Sequence, residues 1–300
     1  MQYLEELIDT PDGHAIPVKA WRPREPEAIL VIAHGMAEHA SRYAPLAEWL
    51  TEQGVAVVAL EQRGHSDHCP DEDLGHYADE DGWNKVLSDL KQVVDFAREL
   101  EPDCPVTLFG HSMGSFIAQA WIQRYGANID NLMLCATNRI NPLELKVSKA
   151  LVDSIKLLRG RRHVSRTIEA MTFGKFNKAF KPTRTSHDWL SRDAAQVDEY
   201  LADPYCGFGC TTGLWSDFLG GLLSIDPTTW RKDLPVHILS GTADPVGEKG
   251  YGIGKHIAAL KAAGVKLASV QLYEGARHEL VNETNAREVW QHINHCLVRR

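Results

Sequence analysis

Ser112, Asp244 and His278, in that order along the chain, are the residues whose types and settings point to chemistry. Ser112 stands in Gly110-His111-Ser112-Met113-Gly114, between an apolar run at 105–110 and a segment, Met113–Tyr125, whose apolar residues recur at helical spacing. A serine at the apex of so tight a strand-to-helix turn is held out at the sheet's edge, and the following helix aims its N-terminus and the Met113 amide at the same point. Glycines on both sides suit a place where strand and helix backbones pass too closely for a Cβ. A hydroxyl is a weak nucleophile until a base takes its proton, so a histidine and an orienting acid must accompany it. Asp244 follows the apolar run Val236–Gly241 in a turn with Pro245, and His278 lies in the loop after Leu267–Tyr273. All three fall at expected strand carboxyl ends, where reacting groups collect in open α/β sheets. The implied chemistry is acyl transfer to water, with His111 supporting the turn rather than acting as base. A developing oxyanion needs two backbone donors; Met113 supplies one and Met36, in AILVIAHGMAEH, is expected to supply the other, with Gly35 letting that loop approach the substrate.

The elements that must position these residues follow from hydrophobic patterning. Continuous apolar runs at 28–34, 55–60, 105–110 and 132–137 read as strands buried on both faces, separated by helical patterns at 43–53, 83–100 and 113–125. The rhythm returns with Val236–Gly241, a helix near 254–263, Leu267–Tyr273 and a last helix over 284–297, while residues 1–23 read as an antiparallel hairpin turning at Thr10-Pro11-Asp12-Gly13. This alternation predicts the α/β class, a mostly parallel doubly wound sheet. The core would comprise 1–140 and 230–300, and 141–229, which lacks a strong buried strand, would be a helical cap inserted over the sheet's carboxyl end. Within it, Val147, Ala150, Leu151, Ile155 and Leu158 share a helical face. Leu151, Ile155, Phe173, Phe176, Phe180, Trp215 and Phe218 are the candidates to line an acyl-binding tunnel, which favours a single-chain lipid or medium-chain ester as the substrate.

Composition narrows the classes. The 300 residues are 44% hydrophobic and 24% charged, as in a globular protein, and the net charge of −8 argues against a nucleic-acid partner. The basic residues are unevenly placed: between 144 and 181 ten stand against three acidic ones, a local +7. That asymmetry suits either a solvated helical face or contact of the cap with an anionic lipid surface or head group. The N-terminal residues lack the pattern of a secretory signal, and no eighteen consecutive residues are apolar, so a cytoplasmic protein with peripheral membrane contact is expected. Six scattered cysteines suit reduced thiols.

Taken together, HGMAEHASRY, RGHS, GHSMG, GTADPVG and YEGARHELVNE resemble the α/β-hydrolase-fold serine hydrolases that include monoacylglycerol lipases and bacterial lysophospholipases, also grouped as the serine aminopeptidase S33-like or hydrolase-4 domain. The likeness extends into the expected cap through FGKFNKAF and DWLSRDAAQVDEYLADPYCGF. It implies a triad of Ser112, Asp244 and His278, an oxyanion hole at Met36 and Met113, and no cofactor. Two positions depart from the pattern, Glu61 where Asp is usual and Ser66 where a second Gly is common, and both concern the shape of the RGHS loop. Thioester or peptide hydrolysis on the same triad, or a scaffold that binds without turnover, are the competing functions.

Other motifs carry less. HELVN ends in Asn282 and lacks the second histidine of a zinc-protease helix, and HSDHC with His76 has no standard metal spacing. Cys206 and Cys210 lack a partner pair, and the glycines of GEKGYGIGK match no phosphate loop. Glu38, His39, Arg42 and Tyr43 either cap and pack a helix or belong to the active site. No metal is expected.

Overall fold

The computed structural model describes residues 1–297; positions 298–300 of the expected core segment lie outside the described residues. β3 (Ala28–Ala33), β4 (Val55–Leu60), β5 (Val106–His111) and β6 (Asn131–Cys135) are buried at every position. Their unbroken apolar runs reflect cover on both faces. Ile29 and Val31 of β3 enter one core cluster while Leu30 and Ile32 enter the other, because successive side chains point to opposite faces. With β7 (Val236–Gly241) and β8 (Leu267–Tyr273) these strands pair in parallel. β1 (Gln2–Asp9) and β2 (Ala15–Arg22) form the expected hairpin, and β2 joins β4 antiparallel, giving eight strands in the order β1-β2-β4-β3-β5-β6-β7-β8. β8 is an edge strand and alternates in burial, leaving Val270 and Leu272 exposed.

α1 (Ala44–Glu52) and α10 (Ala286–Leu297) cover one face, through Leu46, Leu50, Val289 and Ile293. α2 (Gly82–Leu100), α3 (Met113–Tyr125) and α9 (Tyr251–Ala262) cover the other. The architecture is therefore the mostly parallel, doubly wound sheet expected from the alternation of strand and helix patterns.

Five helices lie between β6 and β7: α4 (Pro142–Arg159), α5 (Arg166–Met171), α6 (Phe173–Lys178), α7 (Ala194–Ala202) and α8 (Thr212–Leu223). α8 is continuous with the main core, since the Phe218 ring lies 6.1 Å from Trp83 and 5.9 Å from Phe116. α4 is the opposite case. Leu145, Val152 and Ile155 pack inward, but Leu143, Val147, Leu151 and Leu158, which repeat at helical spacing, all face solvent. The expected apolar face of this helix thus points outward for Val147, Leu151 and Leu158, because a second inward stripe already meets the core.

Candidate active site

β5 ends in a turn at Ser112, whose φ of 50° and ψ of −119° are costly for a residue with a side chain. Neighbouring contacts hold it there: the Ser112 amide donates to the Cys135 carbonyl at 3.0 Å, and the Ser115 amide and hydroxyl donate to the Ser112 carbonyl at 2.9 and 2.6 Å. The flanking glycines are required by close approach. A Cβ at Gly114 would lie 2.0 Å from the Ala33 carbonyl oxygen, and one at Gly110 would lie 2.5 Å from the Gly114 oxygen.

The loops after β7 and β8 bring Asp244 and His278 to this serine. His278 Nδ1 lies 3.0 Å from each Asp244 carboxylate oxygen, and its Nε2 lies 2.8 Å from Ser112 Oγ. A carboxylate only accepts, so Nδ1 carries the proton and Nε2 is left to accept from the hydroxyl. Burial opposes the charged imidazolium of His278, but the adjacent Asp244, with the charges of Glu279 and Glu38 behind it, outweighs burial and holds the pKa above the ordinary value. The arrangement can remove a proton from Ser112 and keep it on a stabilised imidazolium.

Met36 and Met113 line the same cavity as Ser112. Among the described residues neither backbone amide has an acceptor, so both donors remain available to a ligand oxygen. The loop carrying Met36 is pinned from behind by neutral histidines. The Gln62 amide donates to His34 Nε2 at 3.0 Å, which leaves the Nδ1 proton for the Gly35 carbonyl at 2.8 Å. The Ala37 amide donates to His65 Nε2 at 3.2 Å, and His65 Nδ1 donates to the Arg63 carbonyl at 2.9 Å. Burial lowers both histidines, His65 to about 4. The RGHS segment therefore braces the loop after β3. Ser66 takes φ 72°, a value that explains why glycine is common there, and Glu61 accepts from the Ala40 amide at 2.9 Å.

A buried ionic group underlies that brace. Glu38 accepts from the Gly35 amide and from Tyr43 Oη, and Arg42 lies between Glu38, at 3.7 Å, and Glu279, at 2.5 Å. Burial first, and the charge of Glu279 second, raise the Glu38 pKa. His111 is buried 3.9 Å from Glu38, its ring 4.9 Å from His278, where burial lowers its pKa strongly.

The cavity at Ser112 measures about 650 Å³, within the roughly 300–1,000 Å³ of small-molecule sites. Of the residues singled out from the sequence as tunnel candidates, Phe173, Phe176, Trp215 and Phe218 line it. Gly35, Leu151, Ile155 and Phe180 do not. Gly35 instead packs behind the serine, where a Cβ would come within 3.3 Å of Ser112 Cβ, Leu151 is solvent-exposed, and Ile155 packs on the core. Phe180 lies under the Arg277 guanidinium at 4.4 Å. Trp189, not singled out from the sequence, stacks on Phe173 at 5.9 Å and reaches His278. Its signal was faint, a lone tryptophan in an irregular segment.

His65 of HSDHC and His76 separate, His65 facing the Met36 loop and His76 binding Thr211 and Asp79. Among the described residues His39, Asp203 and Cys206 do converge, within 4.8 Å of one another. His39 bonds Asp203 at 2.8 Å, burial keeps Cys206 a thiol, and the Gly207 amide and Tyr200 hydroxyl both donate to the Ala37 carbonyl at 2.9 Å. This cluster fastens the inserted helices to the Met36 loop.

The sheet and the Ser112 turn are those of an α/β-hydrolase. The chain belongs to the Hydrolase_4 family, serine aminopeptidase S33, whose model matches residues 24–285, and is a hydrolase of the serine-hydrolase class. It is 26% identical to monoglyceride lipase of Mus musculus over 284 residues, covering 94% of this chain and 85% of that one. Identity to monoacylglycerol lipase of Mycolicibacterium smegmatis is 25% over 296 residues, covering 95% and 94%. Among solved structures, a thermostable carboxyl esterase from Bacillus coagulans superposes with a TM-score of 0.89 at 25% identity, covering 98% of this chain and 97% of that one.

Proposed function

We propose that the protein hydrolyses carboxylic esters of single-chain lipids, monoacylglycerol or lysophospholipid, or medium-chain esters of similar shape. The observation that carries this reading is the 2.8 Å contact between Ser112 Oγ and His278 Nε2 beside a cavity walled by aromatic rings. His278 takes the Ser112 proton as Oγ attacks the ester carbonyl, and the Met36 and Met113 amides receive the oxyanion. The alcohol leaves with the proton from His278. Water then attacks the acyl-serine and gives its proton to the same nitrogen; the acyl–Oγ bond breaks as His278 returns that proton to Ser112 Oγ, and the acid is released. Each step uses side chains and amides alone, so no cofactor is invoked. The mouse and mycobacterial relatives, named for monoglyceride hydrolysis, support the substrate class.

In this reading residues 1–140 and 230–300 form the catalytic core and 141–229 a lid that meets the lipid. The exposed stripe Leu143, Val147, Leu151 and Leu158, with Lys146 and Arg159 exposed beside it, supports docking of α4 on an anionic lipid surface. Among the described residues no helix is long and apolar enough to cross a membrane. Docking predicts stronger binding to vesicles containing phosphatidylglycerol than to pure phosphatidylcholine, weakened by salt and by Leu158→Glu; equal binding to both would refute it.

The test of the reaction is hydrolysis of p-nitrophenyl esters of graded chain length and of monoacylglycerol by wild type and Ser112→Ala. Activity lost with Ser112 and optimal at a medium or long chain is expected. Turnover that survives in Ser112→Ala, or none in wild type, would overturn the proposal.

A further inference from the structure

The cavity at Ser112 has two chemically distinct parts. One is a chain of rings: Phe173 to Trp215 at 6.1 Å, Trp215 to Phe218 at 6.3 Å, and Phe218 to Phe116 at 5.9 Å. The other is built from the turns after β6 and β7 with α6 and the first turn of α4, and carries Arg139, Lys175, Lys249, Glu144 and Glu248. The two carboxylates there are already engaged. Glu248 accepts from Arg139 Nε at 2.9 Å and Nη2 at 3.2 Å and from Asn138 at 3.3 Å, while Glu144 accepts from Asn141 at 3.1 Å. Lys175 and Lys249 have no carboxylate within ion-pair distance among the described residues. Both lysines line the cavity from its exposed side, so their ammonium groups can meet an anion at the mouth of a cavity whose other part is apolar.

The backbone at Lys249 adds a second observation. Glu248 and Lys249 both take φ 53°, a left-handed conformation that disfavours residues with side chains. The Lys249 amide is tied to the Asp244 carbonyl at 2.8 Å, so this turn hangs directly on the residue that orients His278. Its ammonium lies 5.7 Å from the Phe180 ring centre, which limits where the charge can go.

We propose that Lys175 and Lys249 receive an anionic group, a phosphate, carried by the substrate, so that the preferred ester is a lysophospholipid with a phosphate head rather than a neutral monoacylglycerol. This rests on the ester-hydrolase reading and sharpens it. The acyl chain lies along the rings, the phosphate meets the two lysines, and Arg139 with Glu248 forms a neutral floor between the turns after β6 and β7. Charge-assisted bonds to phosphate set the preference.

The experiment compares kcat/KM for decanoyl-lysophosphatidate and monodecanoylglycerol, both below their micellar concentrations so that docking to a surface plays no part. Wild type is expected to favour the phosphate ester by on the order of tenfold or more, and the ratio to fall toward one in Lys175→Gln/Lys249→Gln and at high salt. Lys175→Gln alone, an exposed change on α6, reads the same ratio should the double variant fold poorly. A wild-type preference for the neutral ester, or a ratio unchanged by the substitutions, overturns the proposal. Inhibition of monodecanoylglycerol turnover by glycerol 3-phosphate as strong as that by lysophosphatidate would also overturn it, since the lysines would then hold free phosphate esters. Calorimetric binding to Ser112→Ala separates the two readings if no ester is turned over. Tighter binding of lysophosphatidate than of monodecanoylglycerol, abolished by the lysine substitutions, would then uphold the head-group site while the hydrolase reading fell; equal binding would sink both.

Discussion

The Trp189 indole lies 4.8 Å from the His278 imidazole at an interplanar angle of 37°, so a residue of the irregular segment between α6 and α7 walls His278. Trp189 is buried and also stacks on Phe173. Trp189→Ala opens a void against His278 and is expected to cost about 3 kcal/mol in a denaturant titration, with kcat falling more than KM rises. Trp189→Phe should recover most of both. A kcat untouched by the alanine variant would make the contact incidental.

Asp244 should govern both the rate and its pH profile. Asp244→Asn is expected to lower kcat on the order of 10³–10⁴-fold, because the imidazole loses its oriented tautomer and its counter-charge. In wild type His278 must be neutral to accept the proton, so kcat/KM rises with pH through a midpoint above the ordinary 6.5. In the variant burial is opposed only by the charges of Glu279 and Glu38, and that midpoint moves down. For stability the sign is reversed: the raised pKa contributes fully below about 6.5 and the contribution is lost as pH rises through the folded-state value. A midpoint that stays put in Asp244→Asn would remove Asp244 as the cause.

Glu61 gives a separate pH signature. Burial raises it from 4.5 to about 7, so the folded state holds a proton that the unfolded chain releases. Its stabilising contribution is complete below pH 4.5 and falls as pH rises to about 7, by on the order of 3 kcal/mol. Urea midpoints of wild type and Glu61→Gln at pH 5 and pH 8 check this. The variant should show the smaller loss, and parallel losses would mean that Glu61 stays ionised.

Two glycines should respond oppositely to alanine. Gly114→Ala drives a Cβ to 2.0 Å from the Ala33 carbonyl oxygen and is expected to destabilise by on the order of 3 kcal/mol or more, or to prevent folding. Gly254, exposed in α9 with nothing within 4 Å of its added Cβ, should gain up to about 1 kcal/mol. Thermal unfolding of the two variants decides the pair.

Much of this fold and of the candidate site could be read without coordinates, and the exceptions share a cause. The strands were legible because cover on both faces demands unbroken apolar runs, as at Ala28–Ala33. Ser112 was legible because its turn needs glycine locally, and Asp244 and His278 because they follow strands. Leu151 was misplaced for the converse reason. Helical periodicity groups side chains on a face but is silent on what covers it, and α4 carries two apolar stripes of which one meets solvent. Trp189 and Glu279 carry no local signal because their significance lies in partners, His278 and Arg42, far away along the chain.

By itself, then, the sequence determined what local sterics and burial dictate: the order of strands and helices, the strained serine turn, and the strand ends that carry Asp244 and His278. Tertiary structure alone decided what depends on facing surfaces. It set which stripe of α4 is wet, how neutral His34 and His65 brace the Met36 loop, and which lysines line the cavity beside Ser112. The physical reason is that burial, ion pairing and proton affinity are properties of an environment assembled from distant segments, and no window of sequence contains it.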